Sequence, residues 1–356
     1  IFPETWLNGN VGSEARGFDS SNLHINGGSN NTIQGNSLGN LDVYDSRFNL
    51  IGGTGPGEGN TYGTIQIDRA SDNLVIGNTT THVRVIGWFG NGQPATNNRI
   101  GGPSAGERNY ITGYGTWGEH GVPSGTTVQI FDSQGTIIEN NWIGTTPDGM
   151  AQGNQASTSG IGFEGENHGA LILNNRIAGI LGHGIGPFGG YVWGTAIALG
   201  GTGGGITIRG NTIGLNAANE PVLGSVTGIG AYDYYGQVQG VTIGGQNPGE
   251  GNEIAGHLVN GISVANLLVG ITISGNSIHD NTSIGIDLVA PGFVYGVTPN
   301  DPFDADIGGN GLQNFPDLAS ATRQGAAIRV VGALHSSALG QFTIEFFASP
   351  ACDPSG

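Results

Sequence analysis

A short phrase of apolar and asparagine residues recurs along the chain and limits the folds that the chain can adopt. Each occurrence joins an apolar-x-apolar pair to a later Asn-x-Ile triplet. Alternate side chains of a β-strand point to opposite faces, so each pair marks a very short strand with one face inward. Such short strands are stable only when they stack in parallel on the coils above and below. Clear pairs begin at Val128, Ile161, Ile206 and Ile271, with triplets beginning at Asn141, Asn175, Asn211 and Asn276.

The spacing of the phrase gives the length of one coil. It returns after 24 residues between Ile161 and Ile185, and again between Ile262 and Ile286. Other coils take 33 residues and carry an extra loop, and the turn asparagines suit a left-handed backbone that bonds to the next coil. Glycine supplies 70 of the 356 residues and weakens helices by about 1 kcal/mol per site. The sequence therefore predicts an all-β fold, a right-handed parallel β-helix over residues 1–318.

The pattern changes near the C-terminus. After Leu318 the Asn-x-Ile phrase is lost, and alternating apolar residues follow at 327–331 and 342–346. We expect residues 319–356 to form antiparallel strands. They would be either a cap over the unpaired edges at the end of the β-helix or the first strands of a truncated β-sandwich.

Several C-terminal phrases carry a family resemblance. They are Gly285-Ile286-Asp287-Leu288, Val297-Thr298-Pro299-Asn300-Asp301, Asp304-Ala305-Asp306, Leu312-Gln313-Asn314-Phe315-Pro316 and the run 342–350. The chain resembles, over nearly its whole length, a group of secreted bacterial right-handed β-helix repeat proteins in the pectin-lyase-like solenoid superfamily. The resemblance implies the fold and an extracellular or cell-surface location, and it implies no particular reaction.

Charge and composition disfavour several classes of binding partner. The net charge is −17 and no lysine occurs, which disfavours nucleic acid and anionic membranes as partners. No apolar run is long enough to insert into a membrane. Cys352 stands alone, so this segment forms no internal disulfide, and Ile1 in place of methionine fits a removed export signal. We expect a monomer with a polysaccharide as its partner.

Catalytic chemistry on a β-helix would sit on an outward column of stacked side chains. Aligning the apolar pairs places Asp68, Phe131, Glu164 and Tyr232 in one such column, with Asp132 and Asp233 one position further along. Carboxylates on adjacent coils would stand about 5–5.5 Å apart, as in a retaining glycosidase, and mutual repulsion would raise one pKa. We therefore predict Asp132, Glu164 and Asp233 as catalytic carboxylates; the alternative is that they are solvated surface acids.

Aromatic and histidine residues near this column predict a sugar-binding groove, because flat rings stack on sugar faces. His183 lies in Gly182-His183-Gly184, which resembles one of the four short motifs of polygalacturonase-type hydrolases, although a turn histidine is the simpler interpretation. The aromatic residues of the glycine-rich insertion could instead pack as a lid. The predicted substrate-binding residues are Asp68, His168, His183, Phe188, Trp193, Tyr232, Tyr234 and Tyr235.

One loop combines the oxygen ligands and tight turns that suit calcium. It contains Asp301, Asp304, Asp306 and Asn310, with Gly308 and Gly309 between them. We predict a structural calcium ion here, with a solvated acidic loop as the alternative. No other cofactor is expected.

Three functions follow from these features. The first is an extracellular glycoside hydrolase that cuts a polysaccharide with paired carboxylates. The second is a non-catalytic surface or adhesive module, in which the β-helix is a stiff spacer. The third is a polysaccharide lyase or epimerase acting on uronates with calcium, which the lack of lysine makes less natural.

Overall fold

The protein winds into a right-handed parallel β-helix, as the repeat predicts. The computed structural model describes residues 4–19, 22–88, 90, 92–113, 116–117, 123–153, 157–180, 184–185, 191–192, 194–232, 236–265, 268–292, 294–337 and 339–348. Within these ranges the strands form three parallel walls, which we call sheets 1, 2 and 3. No helix among the described residues is long and apolar enough to cross a membrane.

Sheet 1 forms the widest wall. Its strands pair in parallel from one coil to the next, and they are Thr5–Asn8, Leu23–Asn26, Ser37–Tyr44, Thr61–Asp68, Thr79–Ile86, Thr126–Gln134, Ser159–His168, Thr195–Leu199, Thr227–Ala231, Ile262–Val264 and Ile286–Leu288. Short strands extend this wall around its turn at Ala95–Thr96, Thr202–Gly204 and Val238–Gln239.

Sheets 2 and 3 close the coil. Sheet 2 has ten strands, which are Glu14–Arg16, Thr32–Gln34, Leu50–Gly52, Leu74–Ile76, Arg99–Gly101, Ile137–Glu139, Leu171–Leu173, Thr207–Arg209, Val241–Gly244 and Ile271–Ser274. Sheet 3 starts on Thr79–Ile86 and continues through Tyr110–Ile111, Trp142–Ile143, Arg176–Ile177, Thr212–Ile213, Glu253–Ala255 and Ser277–His279. Antiparallel pairs lie outside the walls at Thr116–Trp117 with Pro123–Ser124, and at Gly184–Ile185 with Tyr191–Val192.

The core consists of aliphatic side chains stacked in register. On sheet 1, Ile65, Val83, Val128 and Ile161 follow one another on successive coils, and each is 0% exposed. Burial of each such side chain contributes about 1.5–3 kcal/mol. The inward position of these side chains therefore follows the sequence pattern, whereas Ile286 on the last strand of sheet 1 is 42% exposed.

The turn asparagines form a buried ladder between sheets 2 and 3. Each side-chain Nδ2 donates to Oδ1 of the asparagine on the next coil at 2.8–3.1 Å, and the backbone N–H donates to the same oxygen. The amide ladder contains Asn36, Asn60, Asn78, Asn109, Asn141, Asn175, Asn211, Asn252 and Asn276. The predicted bonding of these amides to neighbouring coils is confirmed. The left-handed backbone predicted for the turn asparagines is wrong, because it falls on the residue before the ladder position, as at Asn140 and Asn174.

One predicted coil length is wrong. Ile161 pairs with Ile197 and not with Ile185, so this coil is longer than the 24 residues expected. Ile185 instead lies in the antiparallel pair outside the wall. The spacing from Ile262 to Ile286 agrees with the observed pairing.

The C-terminal region separates into a lid and a hairpin. The turn Gly309–Leu312 covers the last coil, where the Asn310 side chain bonds both the N–H and the carbonyl oxygen of Ile271. Asp317–Gln324 and Ala327–Ala333 form an exposed antiparallel hairpin, which includes the strand predicted at 327–331. Residues 342–346 form no strand, because this segment runs to the β-helix, where Glu345 accepts hydrogen bonds from Ser274 and Gly275.

Removing one amide from the ladder should destabilise the fold. Asn141→Ala leaves the Asn109 donors without their acceptor, so we expect the free energy of unfolding to fall by about 1–3 kcal/mol in a urea titration. Asn26→Ala, on an exposed strand position, is the matched control and should change it little. Equal losses in the two variants would contradict a stabilising role for the ladder.

Candidate functional site

The outward face of sheet 1 carries a continuous column of polar and aromatic side chains. The column occupies the middle position of each apolar-x-apolar pair, so it alternates with the buried core. Strand pairing sets it as Trp6, His24, Asp42, Gln66, Arg84 and Gln129 on successive coils. Neighbouring strands lie about 4.8 Å apart, which brings the side-chain heads of adjacent coils within bonding distance.

Hydrogen bonds fix the centre of this column. Arg84 Nη1 donates to Gln66 Oε1 at 2.9 Å, and Arg84 Nε donates to Gln129 Oε1 at 3.0 Å. Gln129 Nε2 in turn donates to Glu164 Oε2 at 3.2 Å. The guanidinium is therefore held in one orientation before any ligand arrives, which lowers the entropy cost of binding.

These side chains form the floor of an open cleft, which we call the sheet 1 groove. Its volume is about 570 Å³. The lining offers amides, hydroxyls, two carboxylates, an imidazole and a guanidinium, and it consists of Asn40, Asp42, Thr64, Gln66, His82, Arg84, Gly125, Thr126, Gln129, Thr158 and Glu164. Groups of this kind both donate to and accept from sugar hydroxyls.

The N-terminal end of the column presents an aromatic ring. Trp6 is 47% exposed, and its ring stacks on His24 with centroids 4.2 Å apart and planes inclined by 17°. His24 Nδ1 lies 3.0 Å from Asp42 Oδ2, within ion-pair distance but without hydrogen-bond alignment. The exposed tryptophan face is therefore held in place beside the groove.

Burial controls the ionisation of three groups around the groove. Burial raises the pKa of Asp42, against the opposing charges of His24 and Arg84. Burial also raises the pKa of Asp68, whose Oδ1 lies 3.0 Å from Arg69 Nη1. Burial, aided by the Arg84 charge, lowers the pKa of His82 to about 3, so this imidazole is neutral at physiological pH.

The opposite end of the column is closed by Tyr232. The column continues from Gln129 through Gly162, Ala198 and Gly230. A β-carbon at Gly230 would stand 2.2 Å from Tyr232 Oη, so the ring lies directly over this glycine. Tyr232 Oη also lies 3.0 Å from Thr195 Oγ1. Tyr232, predicted to bind substrate, therefore covers the outward column at Gly230 and is not among the residues that line the sheet 1 groove.

The predicted catalytic residues have separate partners. Phe131 pairs with Glu164, while Asp132 lies in a bulge with a φ of 50°. Asp132 Oδ1 accepts a hydrogen bond from Glu166 N at 2.7 Å, whereas Glu164 accepts from Gln129. These two carboxylates thus occupy adjacent coils but different columns. Asp233 lies outside the described residues, and the catalytic assignment stays a prediction.

Other predicted binding residues lie at the rim or outside the described chain. Strand pairing places Asp68, Ile86, Phe131 and Glu164 on successive coils. The predicted column is therefore present, with Ile86 on a coil between Asp68 and Phe131. Gly200 occupies the next position, because its N–H bonds the Phe163 carbonyl oxygen.

His168 Nε2 lies 2.9 Å from Glu166 Oε1 at the edge of this wall. The remaining predicted binding residues, His183, Phe188, Trp193, Tyr234 and Tyr235, lie outside the described residues.

The polar column that forms the floor of the groove was not predicted from the sequence. Gln66, Arg84 and Gln129 each sit between two buried aliphatic residues, in the same apolar-x-apolar pairs that revealed the fold. The column predicted from the sequence contains only residues that follow each pair. A comparison of the middle positions would have found the column.

The acidic loop brings the three predicted aspartates together. Carboxylate oxygens of Asp301, Asp304 and Asp306 lie within 4.8 Å of one another. Burial and the two neighbouring charges raise the pKa of Asp306, and its Oδ1 has no hydrogen-bond partner among the described residues. Hard oxygen donors in this arrangement fit calcium. The Asn310 side chain is engaged with the Ile271 backbone instead.

Comparisons with known proteins add little to this geometry. No protein-family model and no curated protein matches the chain. The chain is similar to a solved structure of PfbA, a surface adhesin of Streptococcus pneumoniae, with 11% sequence identity and a TM-score of 0.31. The match covers 92% of this chain and 80% of the PfbA chain. A TibC-glycosylated fragment of TibA is 14% identical, with a TM-score of 0.18. That match covers 80% of this chain and 97% of the TibA fragment. At these TM-scores neither likeness carries an argument about function.

The buried His82 should make stability depend on pH. The folded pKa of about 3 lies below the ordinary value of 6.5, so acid protonates the unfolded chain first and stability falls from pH 6.5 downward. His82→Gln should reduce this slope by up to about 1.4 kcal/mol per pH unit between pH 6 and about 4, measured by urea titrations. Thr64→Ala, in the same column, removes no titrating group and should keep the wild-type slope. An unchanged slope in His82→Gln would contradict this assignment.

Proposed function

We propose that the protein is a non-catalytic module that binds a neutral polysaccharide along the sheet 1 groove. The observation that carries the proposal is the hydrogen-bonded floor of Gln66, Arg84, Gln129 and Glu164. Polar side chains that are already fixed on rigid strands lose little conformational entropy when they bind a flexible glycan chain. Consistent with the resemblance above, we place the module, as a monomer, at the surface or outside of a bacterial cell.

The chemistry of the lining favours a hydroxyl-rich and uncharged ligand. Asp42 and Glu164 accept hydrogen bonds from hydroxyl groups, while Arg84 and the glutamine amides donate to ring and hydroxyl oxygens. The exposed face of Trp6 can stack on a sugar ring at the end of the groove. A polyanion would meet these two carboxylates and a net charge of −17.

Binding accounts for the carboxylates better than hydrolysis does. A glycosidase needs two carboxyl groups facing one gap, about 5–5.5 Å apart for retention or 6.5–9.5 Å for inversion. Asp132 and Glu164 instead bond to different neighbours, Asp42 lies against the His24 imidazole, and Asp68 lies against the Arg69 guanidinium. This arrangement supports the non-catalytic proposal over the hydrolase, lyase and epimerase alternatives.

Removing the guanidinium should weaken binding. Arg84→Ala loses charge-assisted hydrogen bonds, so we expect affinity to fall about tenfold or more in gels containing xyloglucan, galactomannan or mixed-linkage β-glucan. Arg47→Ala, on an exposed turn, is the matched control and should bind as the wild type does. Equal binding by both variants, at unchanged stability, would exclude the sheet 1 groove as the binding site.

A polysaccharide digestion assay distinguishes binding from catalysis. Wild-type protein incubated with neutral, acidic and amino polysaccharides, with and without chelator, should release no reducing ends and no ultraviolet-absorbing unsaturated products. Products that disappear with Glu164→Gln would replace the binding module by a hydrolase. Calcium-dependent unsaturated products would indicate a lyase instead.

We further propose that the cluster of Asp301, Asp304 and Asp306 holds a structural calcium ion. Calcium that binds only the folded state should raise the free energy of unfolding by about 2.7 kcal/mol at a hundredfold excess over Kd. We expect chelator to reverse this gain in thermal melts, and Asp306→Asn to remove most of it. Asp148→Asn, an acid outside the cluster, should keep it. The same calcium response in both variants would rule out this site.

A further inference from the structure

A second cleft lies near the C-terminal end of the β-helix, which we call the C-terminal cleft. Its volume is about 670 Å³. It is bounded by the loop 245–253, by the turn around Gly275 and Ser277, and by the segment Glu345, Phe346 and Phe347. The loop and the turn lie on stacked coils, and the C-terminal segment reaches them through the contacts of Glu345 with Ser274 and Gly275.

One wall of the C-terminal cleft presents two exposed aromatic rings. Phe346 and Phe347 are 60% and 71% exposed. The preceding Glu345 accepts hydrogen bonds from the Ser274 hydroxyl and from Gly275 N, the latter at 2.9 Å. Adjacent aromatic rings left in water beside a polar cleft are typical of an interaction site. The Glu345 contacts hold the backbone of these rings against the β-helix.

The facing wall is polar and held in place. Glu250 accepts a hydrogen bond from Asn247 N at 3.1 Å and forms a 2.8 Å ion pair with Arg209 Nη1, which fixes the loop. Asn252, at the base of the loop, belongs to the buried amide ladder. These contacts hold the polar wall in one conformation.

Unused hydrogen-bonding groups line this wall. The side chains of Gln246 and Ser277 make no hydrogen bond within the ranges that the structure describes. The Glu253 carboxylate has a 3.7 Å contact with His279 Nε2. An amide, a hydroxyl and a carboxylate opposite two aromatic rings match a sugar, which has polar edges and an apolar face.

The chain contains a related loop without the aromatic wall. Residues 52–60 and 244–252 share the pattern Gly-Gly-x-x-Pro-Gly-Glu-Gly-Asn. The cleft beside the first loop is smaller, about 380 Å³, and is closed by Arg108 and Tyr110 in place of the two phenylalanines. The repeat therefore supplies the loop in both places, and the C-terminal segment makes the second cleft distinct.

We propose that the C-terminal cleft is a second subsite for a neutral glycan, separate from the sheet 1 groove. The ligand class rests on the proposed function. Four coils separate the strand of Arg84 from the coil that carries the loop 245–253, or roughly 19 Å along the axis, and the two clefts lie on different walls of the β-helix. One polysaccharide chain that contacts both subsites would gain affinity through effective concentration.

Equilibrium dialysis tests the second subsite directly. The probes are labelled cellohexaose, xylohexaose, mannohexaose, laminarihexaose and chitohexaose. We expect two bound hexasaccharides per wild-type chain for at least one probe, and one after the double substitution Phe346→Ala/Phe347→Ala. Arg84→Ala should also leave one, and the three substitutions together should leave none.

Matched controls separate this proposal from the proposed function. Phe48→Ala removes an aromatic ring that is 52% exposed and lines neither cleft, so it should keep both sites. Thermal melts should show unchanged stability in the double variant, because its rings are largely exposed. Two sites in the double variant would overturn the second subsite alone. A wild-type chain that binds none of the probes would overturn both proposals.

Discussion

Hydrogen bonds between stacked asparagine amides hold the coils in register, and the other features of the structure depend on that register. Each buried amide donates to the next through both its side chain and its backbone N–H. A slip of one residue would turn the core residues of a strand outward. The ladder therefore fixes the register of the outward columns as well as that of the core. The geometry of the sheet 1 groove depends on these buried residues.

The fold could be predicted because the phrase that encodes it is local. The pair at Val128 and the triplet at Asn141 show an inward face and a turn without reference to any distant residue. The error at Ile185 has a physical cause, because an isoleucine in an insertion satisfies the same pattern while pairing outside the wall. Sequence spacing alone cannot distinguish these two isoleucines; the parallel pairing of Ile161 with Ile197 does so.

The candidate site was harder to predict because it depends on contacts between coils. Arg84 and Gln129 are far apart in sequence, and their hydrogen bond exists only once the strand register is known. The left-handed backbone in the bulge at Asp132 turns its carboxylate toward the Glu166 N–H, and no pattern in the sequence predicts this bulge. The C-terminal cleft was likewise not foreseen, since Glu345 joins elements about seventy residues apart.

Under the proposed function, the position of Tyr232 limits the length of glycan that the outward column can contact. The ring covers the column at Gly230, so the open part runs from Trp6 to Ala198, or roughly 34 Å at the spacing of stacked strands. A longer polymer must overhang at the tryptophan end or leave the wall sideways. In that proposal a single tyrosine limits the length of glycan in contact with the column, and a smaller residue at this position would extend the contact.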